Sequence, residues 1–277
     1  MTPQRVTNAL TVDFEDWYQG LEIPHTDWTG LEDRIGHAAR RVLDLLAEKH
    51  VRATFFVLGS VAERHPELVR EIAAAGHEVG THGWSHTMIY RMTPKAFSAE
   101  LRRSIALLEQ LSGQRIVGHR APFFSITHGS LWALEILGQC GIRYDSSIFP
   151  VLNDRYGIED APRWPYPIEN GPAGPLIEFP ITTWRILGRN VPVAGGAYFR
   201  ILPYLFTRTA FRAINRAGHP AVFYIHPWEF DPEHPRIPLP RRIAATHYAN
   251  LRATEPRMRR LLSDFTFAPM KEVLGVG

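Results

Sequence analysis

Apolar positions recur along this chain with two alternating periods. Leu31–His50 places Ile35, Ala38, Ala39, Val42, Leu45 and Leu46 on one face, the spacing of an amphipathic helix. Before it, Asn8–Phe14 is a short apolar run that ends in acids. After it, Ala53–Leu58 (ATFFVL) is rich in aromatic and β-branched residues, and both runs read as strands. Pro66–Ala75 reads as a helix ended by Gly76, and His77–Gly80 as a very short strand. Thr93-Pro94 is an N-cap and first-turn pair that opens a helix to about Leu111. Ile116–Arg120 and the run from Ile142 to Tyr144 read as strands on either side of a Ser130–Cys140 helix stopped by Gly141. From Pro150 to about Gly196 the periodicity fades into proline- and glycine-rich loops with short strands such as Leu176–Phe179. A helix over Tyr198–Ala217, a buried strand at Ala221–Ile225, an extended Pro232–Pro240 and a helix over Glu255–Phe265 complete the chain.

Strands alternating with helices predict an α/β fold built on a parallel sheet or barrel, with the site at the C-terminal strand ends. The polar residues at those ends are Asp13, Glu15 and Asp16, then Gly59-Ser60, Thr81-His82, Arg120 and Asp145. No internal repeat, low-complexity segment or linker divides the 277 residues, so a single domain over 1–277 is expected, elaborated from about residue 195 onward.

Composition narrows the picture. Hydrophobic residues make up 45% and charged residues 21%, enough to bury a large core without staples. Cys140 is the one cysteine, which excludes an internal disulfide framework. The net charge of +3 comes from arginines scattered through helices, such as Arg40-Arg41, Arg102-Arg103 and Arg257–Arg260, so no nucleic-acid partner is expected. No run is long and apolar enough to span a bilayer. The N-terminal MTPQRVTNALTVDFEDW lacks a basic start followed by an apolar stretch, so no signal peptide and a cytoplasmic location are expected.

Four motifs carry chemistry. In His82-Gly83-Trp84-Ser85-His86, two histidines four apart would share one face of a helical turn and reach one ion. An isolated pair of this kind is as often a surface pair, but Gly80 and Gly83 permit a tight turn off a strand. In Thr11–Trp17, three acids end an apolar strand, a costly placement near a core unless they bind something. A charged loop would explain Glu15 and Asp16 but not Asp13, which lies within the strand. Two histidines and one carboxylate make a three-ligand site suited to Zn²⁺, or to Co²⁺, Ni²⁺, Mn²⁺ or Fe²⁺, and a second carboxylate could be a general base. In Gly118–Ser125, Arg120 leaves a strand before a proline-fixed turn and could orient a carboxylate, although a surface salt bridge is the plainer reading. His226, ending a buried strand before Pro227, could be a general acid or simply a satisfied core histidine.

Together TVDFED, THGWSH, RAPFF, YDSS and IHP, in this order from Leu10 to Pro227, resemble the polysaccharide deacetylases of carbohydrate esterase family 4, which share the NodB-homology domain. The tail from Gly195 onward is similar to the extension of deacetylases associated with exosortase and exopolysaccharide gene clusters. The resemblance implies a distorted (β/α) barrel with about seven strands. It also implies a hydrolase that removes N-acetyl groups from an N-acetylated polysaccharide or exopolysaccharide precursor, near the inner membrane face and in association with exopolysaccharide biosynthesis machinery. By motif, Asp13 is the base, Arg120 orients it, His226 protonates the leaving amine, and His82 and His86 bind a divalent metal. Phe14 stands where many relatives have a second aspartate, so the third ligand falls on Glu15 or Asp16. Strand alternation favours Glu15, and a bulge would bring in Asp16. The resemblance puts an oxyanion-stabilising N–H near Tyr144-Asp145-Ser146, lets Asp145 tune His226, and gives Trp84, Pro122, Phe123 and Asp145 as substrate contacts. Trp17, Tyr18, Trp184, Tyr198 and Trp228 are further stacking candidates, with core packing the plainer role. Two rivals stand beside this reading: a hydrolase of small cyclic amides or ureides on the same scaffold, and a catalytically silent carbohydrate-binding homologue.

Overall fold

The computed structural model describes residues 6–276 except 24, 154 and 170–174. Residues 1–5, the start of the segment used to judge a signal peptide, lie outside the described residues.

Strand β1 (Thr7–Phe14) is the spine of the fold, buried along almost its whole length. It pairs in parallel with β2 (Thr54–Val57), and the sheet continues through β3 (Glu78–Thr81), β4 (Gly118–His119), β5 (Tyr144–Asp145) and β7 (Leu176–Glu178). On its other edge β1 pairs in parallel with β10 (Val222–Ile225). The seven strands β10-β1-β2-β3-β4-β5-β7 therefore curl as one parallel sheet, and an antiparallel β6 (Tyr166–Ile168) is added at the end. A short β11 (Thr266–Ala268) pairs with the first residues of β1.

Period-two alternation in β1 sorts its side chains. Leu10, Val12 and Phe14 point to the main core under the helices, and Ala9 to an inner cluster with Phe56, Tyr144 and Phe179. Asp13 sits opposite Phe56 in the ladder, at the mouth of that inner face. Outside the sheet pack α1 (Ile35–Glu48), α2 (Gly59–Arg64), α3 (Pro66–Ala74), α4 (Pro94–Ser112) and α5 (Trp132–Gln139). The expected stripe of α1 is the face it buries. Thr93 caps α4 by accepting the Ala96 N–H at 3.2 Å.

No ladder joins β6 to β10 among the described residues, so the barrel has a seam. The segment after β7 fills it. Val222 N–H donates to Thr182 Oγ1 at 2.7 Å and Tyr224 N–H to the Ala194 carbonyl at 2.7 Å. At Gly195 the backbone takes φ 139°, and a Cβ there would stand 1.9 Å from the Tyr224 carbonyl oxygen, so only glycine permits the closure. A hairpin, β8 (Thr183–Ile186) with β9 (Arg189–Pro192), projects from this segment. The C-terminal part adds α6 (Gly196–Ile201), α7 (Tyr204–Arg216), α8 (Arg241–His247), α9 (Thr254–Asp264) and α10 (Met270–Leu274).

Three expectations are corrected. The helix over Tyr198–Ala217 is two helices, because Pro203 holds Leu202 extended (φ −75°, ψ 150°) and breaks the run. The strand over Ile116–Arg120 shrinks to Gly118–His119. The residues between His82 and His86 are not helical: Gly83 (φ 77°) and His86 (φ 55°) both turn left-handed.

Candidate active site

Three donor atoms converge at the mouth of β1 and β3. Glu15 Oε2 lies 2.5 Å from His86 Nε2 and 3.7 Å from His82 Nε2, with all three side chains buried. The second nitrogen of His82, Nδ1, hydrogen-bonds the Arg120 carbonyl at 2.8 Å, which fixes the ring with Nε2 facing Glu15. Burial alone would raise the Glu15 carboxyl; His86, His82 and His226 outweigh it and hold it well below the usual carboxylate range. Burial holds His86 below the usual histidine range against the opposing pull of Glu15. Glu15 Oε2 is buried without a hydrogen bond of good geometry, and a buried anionic oxygen in that state is the mark of a site that takes a cation. Two imidazoles and one carboxylate suit a divalent transition metal. The structure thus brings Glu15 to the histidines. Asp16 turns away: its carboxylate accepts the N–H groups of Trp17 (2.8 Å), Arg34 (2.8 Å) and Ile35 (3.1 Å) and holds the start of α1.

Beside this trio, Arg120 is fully buried and nearly every donor is placed. Nη1 donates to Thr11 Oγ1 and Asp13 Oδ1, both at 2.7 Å, while Nε and Nη2 donate to Ser146 O and Oγ at 2.9 Å. Its guanidinium lies 4.5 Å from the Phe56 ring centre. Asp13 is left with Oδ2 free toward the cavity, 3.9 Å from His226 Nε2. Burial works against charge on His226, but Glu229, 3.3 Å from its Nδ1, together with Glu15 and Asp13, lifts it to about 9. Arg200 Nε donates to Glu229 at 2.7 Å and holds that carboxyl down, at about 2.

Asp13, Glu15, His82, His86, His226 and Glu229 open on one cavity of about 540 Å³, with Arg120 buried behind Asp13. Residues 28–144 match the family model described as polysaccharide deacetylase. This likeness to the polysaccharide deacetylase family covers under half of the chain. Residues 146–275 match a separate model, described as a domain of unknown function, so β7, β10 and the C-terminal helices fall there while sharing the same sheet. A peptidoglycan deacetylase of Helicobacter pylori is 31% identical over 152 residues, 50% of this chain and 51% of that protein. A chitooligosaccharide deacetylase of Rhizobium leguminosarum bv. trifolii is 37% identical over 103 residues, 37% of this chain and 45% of that protein. The chain therefore spans about half the length of these curated relatives. The solved structure of the Puue allantoinase shares the fold at a TM-score of 0.64 and 17% identity, covering 98% of this chain and 90% of that one.

Not every residue expected at the site is there. Phe123 lines the cavity, with its ring 4.5 Å from that of His86 and under the Arg155 guanidinium. Trp84 does not: it packs on Gly59, where a Cβ would meet the ring at 2.5 Å, and under Arg103. Pro122 is buried behind the turn, about 4 Å from where a Gly83 Cβ would be. Asp145 is fully buried, bonded to His119 Nδ1 and Ser147 Oγ at 2.7 Å, and the partner of His226 is Glu229 instead. The Tyr144 and Ser146 N–H groups are spent within the sheet, on the Val117 and His119 carbonyls, and the next two N–H groups go to Glu178. That motif is a brace: Ser146 seats Arg120, and Ser147 Oγ accepts the Ala121 N–H.

Glu229, Arg200, Phe124, Tyr156, Tyr198 and Tyr224 line the cavity, and of these only Tyr198 was a candidate. A glutamate three residues after His226, on the Pro227–Phe230 turn, was the one available sign of Glu229.

Proposed function

We propose that this protein is a metal-dependent deacetylase that hydrolyses the N-acetyl amide of a carbohydrate. What carries the reading is one arrangement: the Asp13–Arg120 pair and the Glu229-supported His226 flank the Glu15–His82–His86 cluster on the floor of a single cavity. Glu15, His82 and His86 would hold the cation, with Zn²⁺ the first choice and Co²⁺, Ni²⁺, Mn²⁺ or Fe²⁺ alternatives. When bound, the ion supplies Lewis acidity at the acetyl carbonyl.

The chain's own residues do the proton work. Asp13 Oδ2 takes a proton from the attacking water, and Arg120 keeps the carboxylate aimed. His226, on the other side and charged at neutral pH, hands a proton to the leaving nitrogen, so acetate and a free amine depart. The developing oxyanion needs a donor, and we assign it to the Phe123 N–H, whose residue lines the cavity in a left-handed conformation (φ 54°) and whose neighbours Ala121, Phe124 and Ser125 have spent theirs. The similarity of the tail to exopolysaccharide-associated deacetylases makes an N-acetylated exopolysaccharide or its precursor the first polymer to try. No described helix is long and apolar enough to cross a membrane.

The test is acetate release from N-acetylhexosamine oligomers, with metal content measured on wild type and His82→Ala. Stoichiometric metal in wild type, its loss in the variant and acetate release that follows the metal are expected. Turnover of a cyclic ureide with no acetate from any oligomer would overturn the carbohydrate reading, and equal, negligible metal in both proteins would overturn the metal site.

A further inference from the structure

The walls of the cavity say how a substrate enters it. Residues following β1, β3, β4, β5 and β10 surround the floor, and the barrel's seam, which would otherwise leave a way out, is filled by the segment after β7 and walled by the helices that follow it. There Tyr198, Ile201 and Leu202 of the α6 region and Ile243, Thr246 and His247 of α8 form the wall. Two features seal it. Tyr156, from the loop after β5, and Tyr198, from α6, bring their hydroxyls to 3.4 Å of each other, joining the walls on either side of the seam. Tyr156 is itself fixed by stacking on Phe149 at 5.5 Å and 10°. Arg200 then ties α8 to the site, donating to the His247 and Ala249 carbonyls while it holds Glu229.

We propose that the seam-side wall makes this a blind pocket that admits the end of a carbohydrate chain, with Tyr156 and Tyr198 as the residues that exclude chain interiors. The inference rests on the deacetylase reading and names its substrate as a chain terminus or short oligosaccharide. A polymer lying across the barrel mouth needs two exits, and the tyrosine pair occupies one. The volume agrees: about 540 Å³ holds one ligand of ordinary size, which for a carbohydrate is about one or two pyranose rings.

The experiment locates free amines by tandem mass spectrometry in end-labelled N-acetylglucosamine tetramers and hexamers treated with metal-loaded protein. Wild type is expected to open a single position at or next to one terminus, at the same rate per chain for both lengths. Tyr198→Ala and Tyr156→Ala are expected to spread amines to internal positions. Internal amines from wild type, or a rate that climbs with chain length, overturn the blind pocket while leaving the deacetylase reading intact. The same single terminal position in both soluble, metal-loaded variants overturns the role given to the tyrosines. No acetate from any oligomer sinks the deacetylase reading and this inference with it.

Discussion

Single side chains set the chemistry here through their partners. His226 would be a neutral, buried imidazole if burial acted alone; Glu229 reverses that, and Arg200 keeps Glu229 ionised. The proton that the proposed reaction takes from His226 is present below its pKa of about 9 and is lost as pH rises through it. Glu229→Gln removes the strongest lift, so the alkaline limb of the kcat profile should move down by about 1–2 pH units. The profile, rather than the rate at one pH, is the measurement, because the variant also leaves Arg200 buried without its carboxylate. An unmoved alkaline limb would mean that another group donates the proton. Asp13 answers to a simpler test. Asp13→Asn keeps a hydrogen-bond acceptor for Arg120 but no base, so kcat should fall about 10²–10⁴-fold with metal content unchanged. Retained turnover would move the base to another carboxylate.

At the scale of elements, the two adjacent acids after β1 have separate duties. Glu15 faces the histidines, whereas Asp16 caps α1 by accepting the Arg34 and Ile35 N–H groups and also accepts the Trp17 N–H. Burial lifts the Asp16 carboxyl to about 6, so its charge contributes little, and the acceptor oxygens are what α1 needs. Asp16→Asn keeps one acceptor oxygen, enough for the Arg34 and Ile35 N–H groups but not also for Trp17, so in chemical denaturation it should lose less than Asp16→Ala, which should lose about 1–3 kcal/mol, both retaining metal. Glu15→Ala should do the opposite, losing metal with little loss of fold. Metal loss in Asp16→Ala at full stability would exchange the two roles. Alternation along β1 made Glu15 the favoured acid from sequence, because the odd positions share a face. The helices with sustained periodicity, α1 and α4 among them, were legible for a similar reason: one buried stripe leaves a repeating signal. What escaped reading has no local signal. The left-handed turn that brings His82 to His86 looks like helical spacing in one dimension. The salt bridge from Arg200 to Glu229 joins residues 29 apart that meet only when the seam closes. Trp84 reads as an exposed stacking ring until Gly59 is seen to make room for it.

Over the whole molecule, the barrel separates the mouth that holds the cavity from an opposite end whose polar groups serve stability. At that opposite end, His77 is nearly inaccessible and its Nδ1 accepts the Ala53 N–H at 3.2 Å, joining the start of β2 to that of β3. An accepting nitrogen must be unprotonated, so the folded state requires neutral His77. Burial, with a smaller push from Arg52, depresses its pKa from the ordinary 6.5 to about 4. A depressed folded pKa fixes the sign. The neutral ring's contribution is complete above pH 6.5, where the unfolded chain is also neutral. It drains away as pH falls toward 4, because the unfolded state takes up the proton first. Between pH 7.5 and 5 the difference amounts to about 2 kcal/mol. His77→Gln offers an amide oxygen to Ala53 and cannot titrate. Its stability, measured by urea unfolding at the two pH values, should fall by about 2 kcal/mol less than that of wild type over the same interval. Since His77 stands at the far end of β3 from His82, the variant should leave metal content as it was. A parallel loss of stability in both proteins would show that the acid sensitivity lies in a group other than His77.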